Sequence, residues 1–189
     1  LLQVGGKEII SYNFDRLYQF GIKKQHITVN YLGNKIRDFC KDYKLNIEFN
    51  IIEESNFMGT AGSLSLIDNI DKDYVLLMNS DLLTNIDYED LFSSFIDQNS
   101  DIIVASIAHL IDLPYAIFQT KKEEVMSFEE KPTYTYYANA GIYLFKKKLL
   151  KFIPKDKVYN ATDFMQDVID AGYKLTHFPI NDYWLDIGK

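Results

Sequence analysis

The chain has 189 residues, 47% hydrophobic and 25% charged, which suits one soluble globular domain with a substantial core. A net charge of −7 argues against a nucleic-acid partner, since non-specific binding of that kind needs a basic surface. The lone cysteine, Cys40, excludes an internal disulfide and suits a cytoplasmic setting, and no run reaches the roughly 18 apolar residues of a membrane span.

The opening Leu1-Leu2-Gln3-Val4-Gly5-Gly6-Lys7 has neither the basic region nor the apolar core of a signal peptide. Gly5-Gly6 reads as a turn before the first helix, because no strand precedes it. Apolar residues from Glu8 to Phe20 follow the helical period, and Gly21 ends the pattern. His26 to Asn30 reads as a buried strand. Asn34 to Tyr43 reads as a helix with Ile36, Phe39 and Cys40 inward, and Asn46 to Ile52 as a strand. A short helix over Ala61 to Ile67 precedes the continuous apolar run Tyr74 to Asn79, typical of a strand covered on both faces. Tyr88 to Ile96 reads as a helix with Asp87 as N-cap, and Asp101 to Ile107 as another strand.

The second half differs. Tyr115 to Thr120 and Glu124 to Glu129 form a hairpin pattern around Lys121-Lys122, and Tyr137 to Phe145 is a long strand. Lys146 to Phe152 and Thr162 to Ala171 read as helices, and Lys174 to Pro179 as a strand. The alternation predicts one α/β domain over residues 1–189, a Rossmann-like three-layer sandwich around a mostly parallel mixed sheet. A doubly wound sheet ordinarily opens with a strand and a phosphate loop. With neither here and no initiator methionine, the expectation is a fragment truncated at the N-terminus, and at the C-terminus as well.

Two aspartates stand out. Asp186 interrupts the apolar Trp184-Leu185-Asp186-Ile187, and a buried carboxylate needs a partner or a cation. Asp81 follows the apolar strand Tyr74 to Asn79, where ligands of such sheets gather. Two carboxylates from distant strand ends could hold one Mg²⁺, an ion that usually serves a phosphate. Met58-Gly59-Thr60-Ala61-Gly62-Ser63 puts small residues at a helix start, which lets a ligand approach backbone amides or simply packs a tight turn. Asn139 lies inside an apolar strand, so its amide needs a hydrogen-bond partner, a sugar hydroxyl or a neighbouring side chain. Glu129-Glu130-Lys131-Pro132 reads as a charged turn. His26, His109 and His177 lack metal-ligand spacing and read as structural or surface residues.

Taken in order, these segments resemble the sugar-1-phosphate nucleotidylyltransferases. The carrying segments are Leu2-Gln3-Val4-Gly5-Gly6-Lys7, Glu54 with Gly59-Thr60-Ala61-Gly62, and Asn79-Ser80-Asp81. Glu130-Lys131-Pro132, Asn139-Ala140-Gly141-Ile142-Tyr143 and Tyr183-Trp184-Leu185-Asp186-Ile187-Gly188 complete them. Ser80 departs from the family's glycine, and Ala116 replaces the glycine of a Pro-Tyr-Gly segment. The resemblance implies attack of a sugar-1-phosphate on the α-phosphate of a nucleoside triphosphate, with pyrophosphate leaving. It implies Mg²⁺ on Asp81 and Asp186, and nucleotide contacts from Glu54, Gly59, Thr60 and Asp81. It further implies sugar-phosphate contacts from Tyr115, Glu130, Lys131, Asn139 and Trp184, with Lys131 taking part in catalysis beside the aspartates.

A carboxylate only accepts hydrogen bonds, and guanine offers N1–H and N2–H₂ side by side. Glu54 at the base-reading position therefore favours GTP, and the look is closest to mannose-1-phosphate or amino-sugar-1-phosphate guanylyltransferases. The family's phosphate loop and first strand have no counterpart here, so residues 1–189 alone are expected to be inactive or nearly so. A homo-oligomer is compatible with the pattern. Two alternatives stay open: a non-catalytic nucleotide-sugar-binding homologue, and a metal-dependent glycosyltransferase, against which the single carboxylate of Asn79-Ser80-Asp81 weighs.

Overall fold

The computed structural model describes residues 2–188. Gly5 and Gly6, with φ of 59° and 77°, turn a minute hairpin of β1 (Gln3–Val4) and β2 (Lys7–Glu8). Helix α1 (Ile9–Gln19) leads to β3 (Lys24–Val29), α2 (Gly33–Lys41) and β4 (Glu48–Glu53). Then come α3 (Gly59–Gly62), a 3-10 turn (Ser63–Leu66), β5 (Tyr74–Met78), β6 (Leu82–Thr84) and α4 (Tyr88–Asp97). The second half contains β7 (Ile102–Asp112), β8 (Ile117–Lys121), β9 (Glu124–Glu129) and β10 (Thr133–Lys146). A 3-10 turn (Lys147–Phe152), α5 (Ala161–Asp170), β11 (Leu175–Pro179) and β12 (Trp184–Asp186) close the order.

The central sheet has the order β11-β7-β10-β5. β11 runs parallel to β7, while β10 is antiparallel to both its neighbours, β7 and β5. The mixed character is as expected, but the single continuous sheet is not. Among the described residues β3 and β4 form a separate parallel pair with no ladder to β5.

Period-two alternation sends neighbouring residues of one strand into different layers. On β7 and β10, Ile103, Ala105, Ile142 and Leu144 enter a core with Leu17 of α1 and Leu91 and Phe95 of α4. Their neighbours Ile102, Val104, Tyr143 and Phe145 enter a second core with Leu64, Leu149, Phe164 and Val168. Helices thus cover both faces, which makes the three-layer sandwich. The Phe145 and Phe164 rings meet edge to face, centroids 5.1 Å apart, in the second core.

Local chemistry sets the helix ends. The Asp87 carboxylate accepts from the Glu89 and Asp90 amides at 2.8 and 3.0 Å, as the sequence predicts for an N-cap. The Asp163 carboxylate accepts from the Asn160 amide at 3.0 Å at the start of α5. Asp101, at the foot of β7, receives Lys146 Nζ at 3.0 Å, Lys148 Nζ at 2.8 Å and the Lys174 amide at 3.1 Å. Cys40 is buried, as expected, and burial pushes its thiol up to about 11.

Beyond Ser106 the paired strands β7 and β10 leave the core and run on as an exposed arm, which passes into hairpin β8–β9. Sequence periodicity stops at the core edge, so both strands run further than their apolar patterns: β7 to Asp112 and β10 back to Thr133.

Candidate active site

Two three-residue strands build the site. β12 pairs antiparallel with β6, setting Trp184 against Thr84 and Asp186 against Leu82. That register carries Asp186 to the residue after Asp81, and the Ile187 amide donates to the Asp81 carbonyl at 3.1 Å. Asp186 Oδ1 accepts from the Gly188 amide at 3.0 Å. A Cβ placed on Gly188 would overlap Asp81 Oδ2 and lie 3.3 Å from Asp186 Oδ1. Both carboxylates therefore converge on the bare Cα of Gly188.

The loop bearing Asp81 is braced from two sides. Asn13 of α1, a buried side chain, donates from Nδ2 to the Ser80 carbonyl at 3.2 Å. The Asn79 amide donates to the Gly141 carbonyl at 3.0 Å. Gly141 has φ of 75°, and a Cβ there would stand 2.7 Å from Asn79 Nδ2. On the other strand, Trp184 Nε1 donates to the Ala140 carbonyl at 2.9 Å. Asn79, Asn139, Gly141, Trp184 and Asp186 line a cleft of about 120 Å³.

Two expectations need correction here. Asp186 is half-buried and not enclosed, because β12 lies at the edge of the fold. Asn139 is exposed and not buried, since the ladder between β10 and β7 breaks between Asn139 and Tyr143. Its amide has local partners: Nδ2 donates to the Tyr143 hydroxyl at 2.8 Å, and Oδ1 accepts from the Gly141 amide at 2.9 Å.

The donor set suits a hard cation. Mg²⁺ is commonly held by one or two carboxylates plus waters and substrate phosphates. Asp81 and Asp186 supply two carboxylates, and no group of three acidic, His or Cys side chains gathers among the described residues.

The segment Gly59-Thr60-Ala61-Gly62 lies elsewhere, after β4. The Ala61 and Gly62 amides both donate to the Tyr159 carbonyl, and Thr60 Oγ1 accepts from the Ala161 amide at 2.7 Å. A Cβ on Gly59 would sit 2.7 Å from the Tyr159 carbonyl oxygen, and one on Gly62 2.8 Å from that of Lys157. Close packing on residues 157–161 therefore accounts for these small residues. Glu54 Oε2 accepts from the Met58 amide at 3.2 Å, which orients its carboxylate toward that loop.

Tyr115, Glu130 and Lys131 are exposed and occupy the two crossovers between arm and hairpin. The Leu113 amide donates to the Pro132 carbonyl at 3.1 Å and ties these crossovers together. The structure brings the three near one another but not to Asn139. The strand from Thr133 to Asn139 spans about 20 Å at the usual rise. Two histidines have structural partners, His26 Nδ1 with Asn50 Nδ2 at 3.0 Å and His177 Nδ1 with Ser106 Oγ at 2.9 Å.

Sequence reasoning missed Asn13, and it quoted Asn79 and Gly188 within their segments without giving either a role. A polar residue on the buried face of α1 was the signal that could have found Asn13.

Solved structures share this fold. HddC from Yersinia pseudotuberculosis is 24% identical with a TM-score of 0.75, covering 99% of this chain and 83% of that one. A putative glucose-1-phosphate thymidylyltransferase from Bacillus anthracis is 22% identical with a TM-score of 0.75, covering 100% of this chain and 80% of that one. These likenesses define the fold class, a three-layer α/β sandwich around a mixed sheet.

The nucleotidyl transferase family profile matches residues 1–189, and the chain belongs to that family. Glucose-1-phosphate adenylyltransferases from Clostridium novyi and Bacillus thuringiensis are each 30% identical over 152 residues. The match covers 70% of this chain and 39% of each of those proteins, so the chain spans well under half the length of these relatives. No helix among the described residues is long and apolar enough to cross a membrane.

Proposed function

We propose that this protein takes part in transferring a nucleotidyl group from a nucleoside triphosphate to a sugar-1-phosphate, releasing pyrophosphate. The observation that supports this most directly is the convergence of Asp81 and Asp186 on Gly188 in a chain of the nucleotidyl transferase family. In this reading the two aspartates hold a Mg²⁺ ion, which offsets phosphate charge when bound. Asn13 and Trp184 keep the two carboxylates in register, so that little reorganisation is needed during reaction. Gly188 leaves room beside them because it has no side chain. Asn139 and Trp184, on the cleft wall, face the sugar side. Tyr115, Glu130 and Lys131, at the crossovers between arm and hairpin, are the proposed sugar-phosphate contacts.

GTP is the proposed donor. The Glu54 carboxylate, steered by the Met58 amide, matches the paired N–H groups of guanine. ATP is a second reading, favoured by the adenylyltransferase names of the 30% identical relatives. Against it, adenine presents a ring acceptor beside its amino group, which a carboxylate would repel.

Pyrophosphate release by the full-length protein, measured with Mg²⁺ and a panel of triphosphates and sugar-1-phosphates, tests both levels. GTP is expected to give the fastest release. Faster release with ATP, UTP or dTTP would overturn the base assignment and leave the reaction standing. No release with any pair would overturn the reaction itself.

A further inference from the structure

Asn79 follows β5 and shares the cleft wall with Asn139, Tyr143, Trp184 and Asp186. Its backbone amide donates to the Gly141 carbonyl at 3.0 Å, but its carboxamide has no hydrogen-bond partner among the described residues. The carboxamide lies over the bare Cα of Gly141, where a Cβ would stand 2.7 Å from Nδ2 and 3.1 Å from Cγ. Two N–H donors and a carbonyl acceptor are thus left for a ligand.

Asn139 is the opposite case. Its Oδ1 accepts from the Gly141 amide, and its Nδ2 donates to the Tyr143 hydroxyl. A backbone N–H only donates, so the atom of Asn139 that faces Gly141 is the oxygen. The side chain is held at both ends and keeps one N–H to offer. Tyr143, only 4% exposed, has accepted from Asn139 and still has its own proton to donate.

No Lys or Arg lines the cleft, so a phosphate or a carboxylate finds no counter-charge there. Its volume of about 120 Å³ is also too small for a nucleotide; pockets that enclose drug-sized ligands hold roughly 300–1,000 Å³. Uncharged donors and acceptors around a small cleft match the hydroxyl groups of one sugar ring.

We propose that the Asn79 carboxamide binds a hydroxyl group of the sugar, beside an Asn139 fixed by Tyr143, and that this cleft takes a neutral sugar in preference to a carboxylated one. The inference rests on the sugar-1-phosphate reading of the site. A carboxylate on the sugar would meet Asp186 and no cation, and an unpaired charge is costly to desolvate.

Kinetics of the full-length protein with Asn79→Ala test it. The substitution removes no hydrogen bond made by a side chain of the fold, and the backbone bond to Gly141 is kept. KM for the sugar-1-phosphate is expected to rise about 10-fold or more, the scale of one or two lost hydrogen bonds. KM for the triphosphate and the unfolding temperature should hardly move. Glucuronic acid 1-phosphate should be a poorer substrate than glucose 1-phosphate or mannose 1-phosphate. A rise in KM for the triphosphate instead would assign the cleft to its ribose and overturn the proposal. So would an unchanged sugar KM, or a preference for the glucuronic acid ester. Saturation-transfer NMR with glucose 1-phosphate and mannose 1-phosphate separates this inference from the proposed reaction. Binding that Asn79→Ala abolishes, in a protein that releases no pyrophosphate, would support the sugar cleft and sink the reaction. Absence of binding by either sugar phosphate, with no turnover, would overturn both.

Discussion

Trp184 Nε1 donates to the Ala140 carbonyl at 2.9 Å, and this bond pins the strand that ends in Asp186 to the centre of the fold. Ala140 is fully buried and lies where the ladder between β7 and β10 is broken, so its carbonyl draws on the indole. A structural bond to a core strand thereby places a site carboxylate at the molecule's edge.

Trp184→Phe keeps most of the bulk and removes the donor. A buried carbonyl left without its partner costs about 1–3 kcal/mol. Urea unfolding should show a loss of that order. Pyrophosphate release should need more Mg²⁺ to reach half its maximum, because Asp186 is less well held.

Gly188→Ala leaves the backbone unstrained but drives a methyl group into Asp81 Oδ2. Asp81 must turn away. Activity is expected to fall by roughly 10²-fold, with little change in unfolding temperature, since Gly188 is exposed and belongs to neither core. A drop in thermal stability matching the drop in rate would contradict this.

Asp81→Asn and Asp186→Asn each remove one carboxylate without changing shape. Rates should fall on the order of 10²–10³-fold or more, the scale of losing one preorganised electrostatic group. The double variant should lose much less than the product of the two, because both act on one ion. Initial rates of pyrophosphate release for all three variants check this.

Asp101 makes a prediction about stability and pH. Burial tends to raise its carboxyl, but Lys148, the Lys174 amide and Lys146 outweigh it and hold it down at about 2. The folded value lies below the unfolded one, so the stabilisation is complete above the unfolded value and is lost as pH falls through the folded one. Asp101→Asn should cost on the order of 2 kcal/mol at pH near 7. The difference from the unaltered protein should shrink between about pH 4 and about pH 2. Urea unfolding near pH 7 and again near pH 3 reads both values.

Much of this was legible in the sequence because it is local. The Asp87 cap, the turn at Gly5-Gly6, the β8–β9 hairpin and the alternating apolar residues of β7 and β10 each depend on neighbours a few residues away. Asp81 and Asp186 could be picked out because a carboxylate beside apolar residues asks for a partner. Their meeting point could not, because β6 and β12 are three residues each and too short to show a period. Gly59 and Gly62 read either as a ligand-facing turn or as a packed one, and only their contact with residues 157–161 selects packing. Asn139 read as buried because its flanks are apolar, and only the broken ladder exposes it.

The residues alone determined the α/β class, the longer helices and strands in their order and the two aspartates, since periodicity and capping are properties of short stretches of chain. Tertiary structure decided what those residues do together. The register of two short strands brings Asp186 to Asp81. A bare Cα at Gly188 makes room for both carboxylates, and a long ladder separates Lys131 from Asn139. Each is set by pairing between segments distant in sequence, where packing geometry and not local preference selects the outcome.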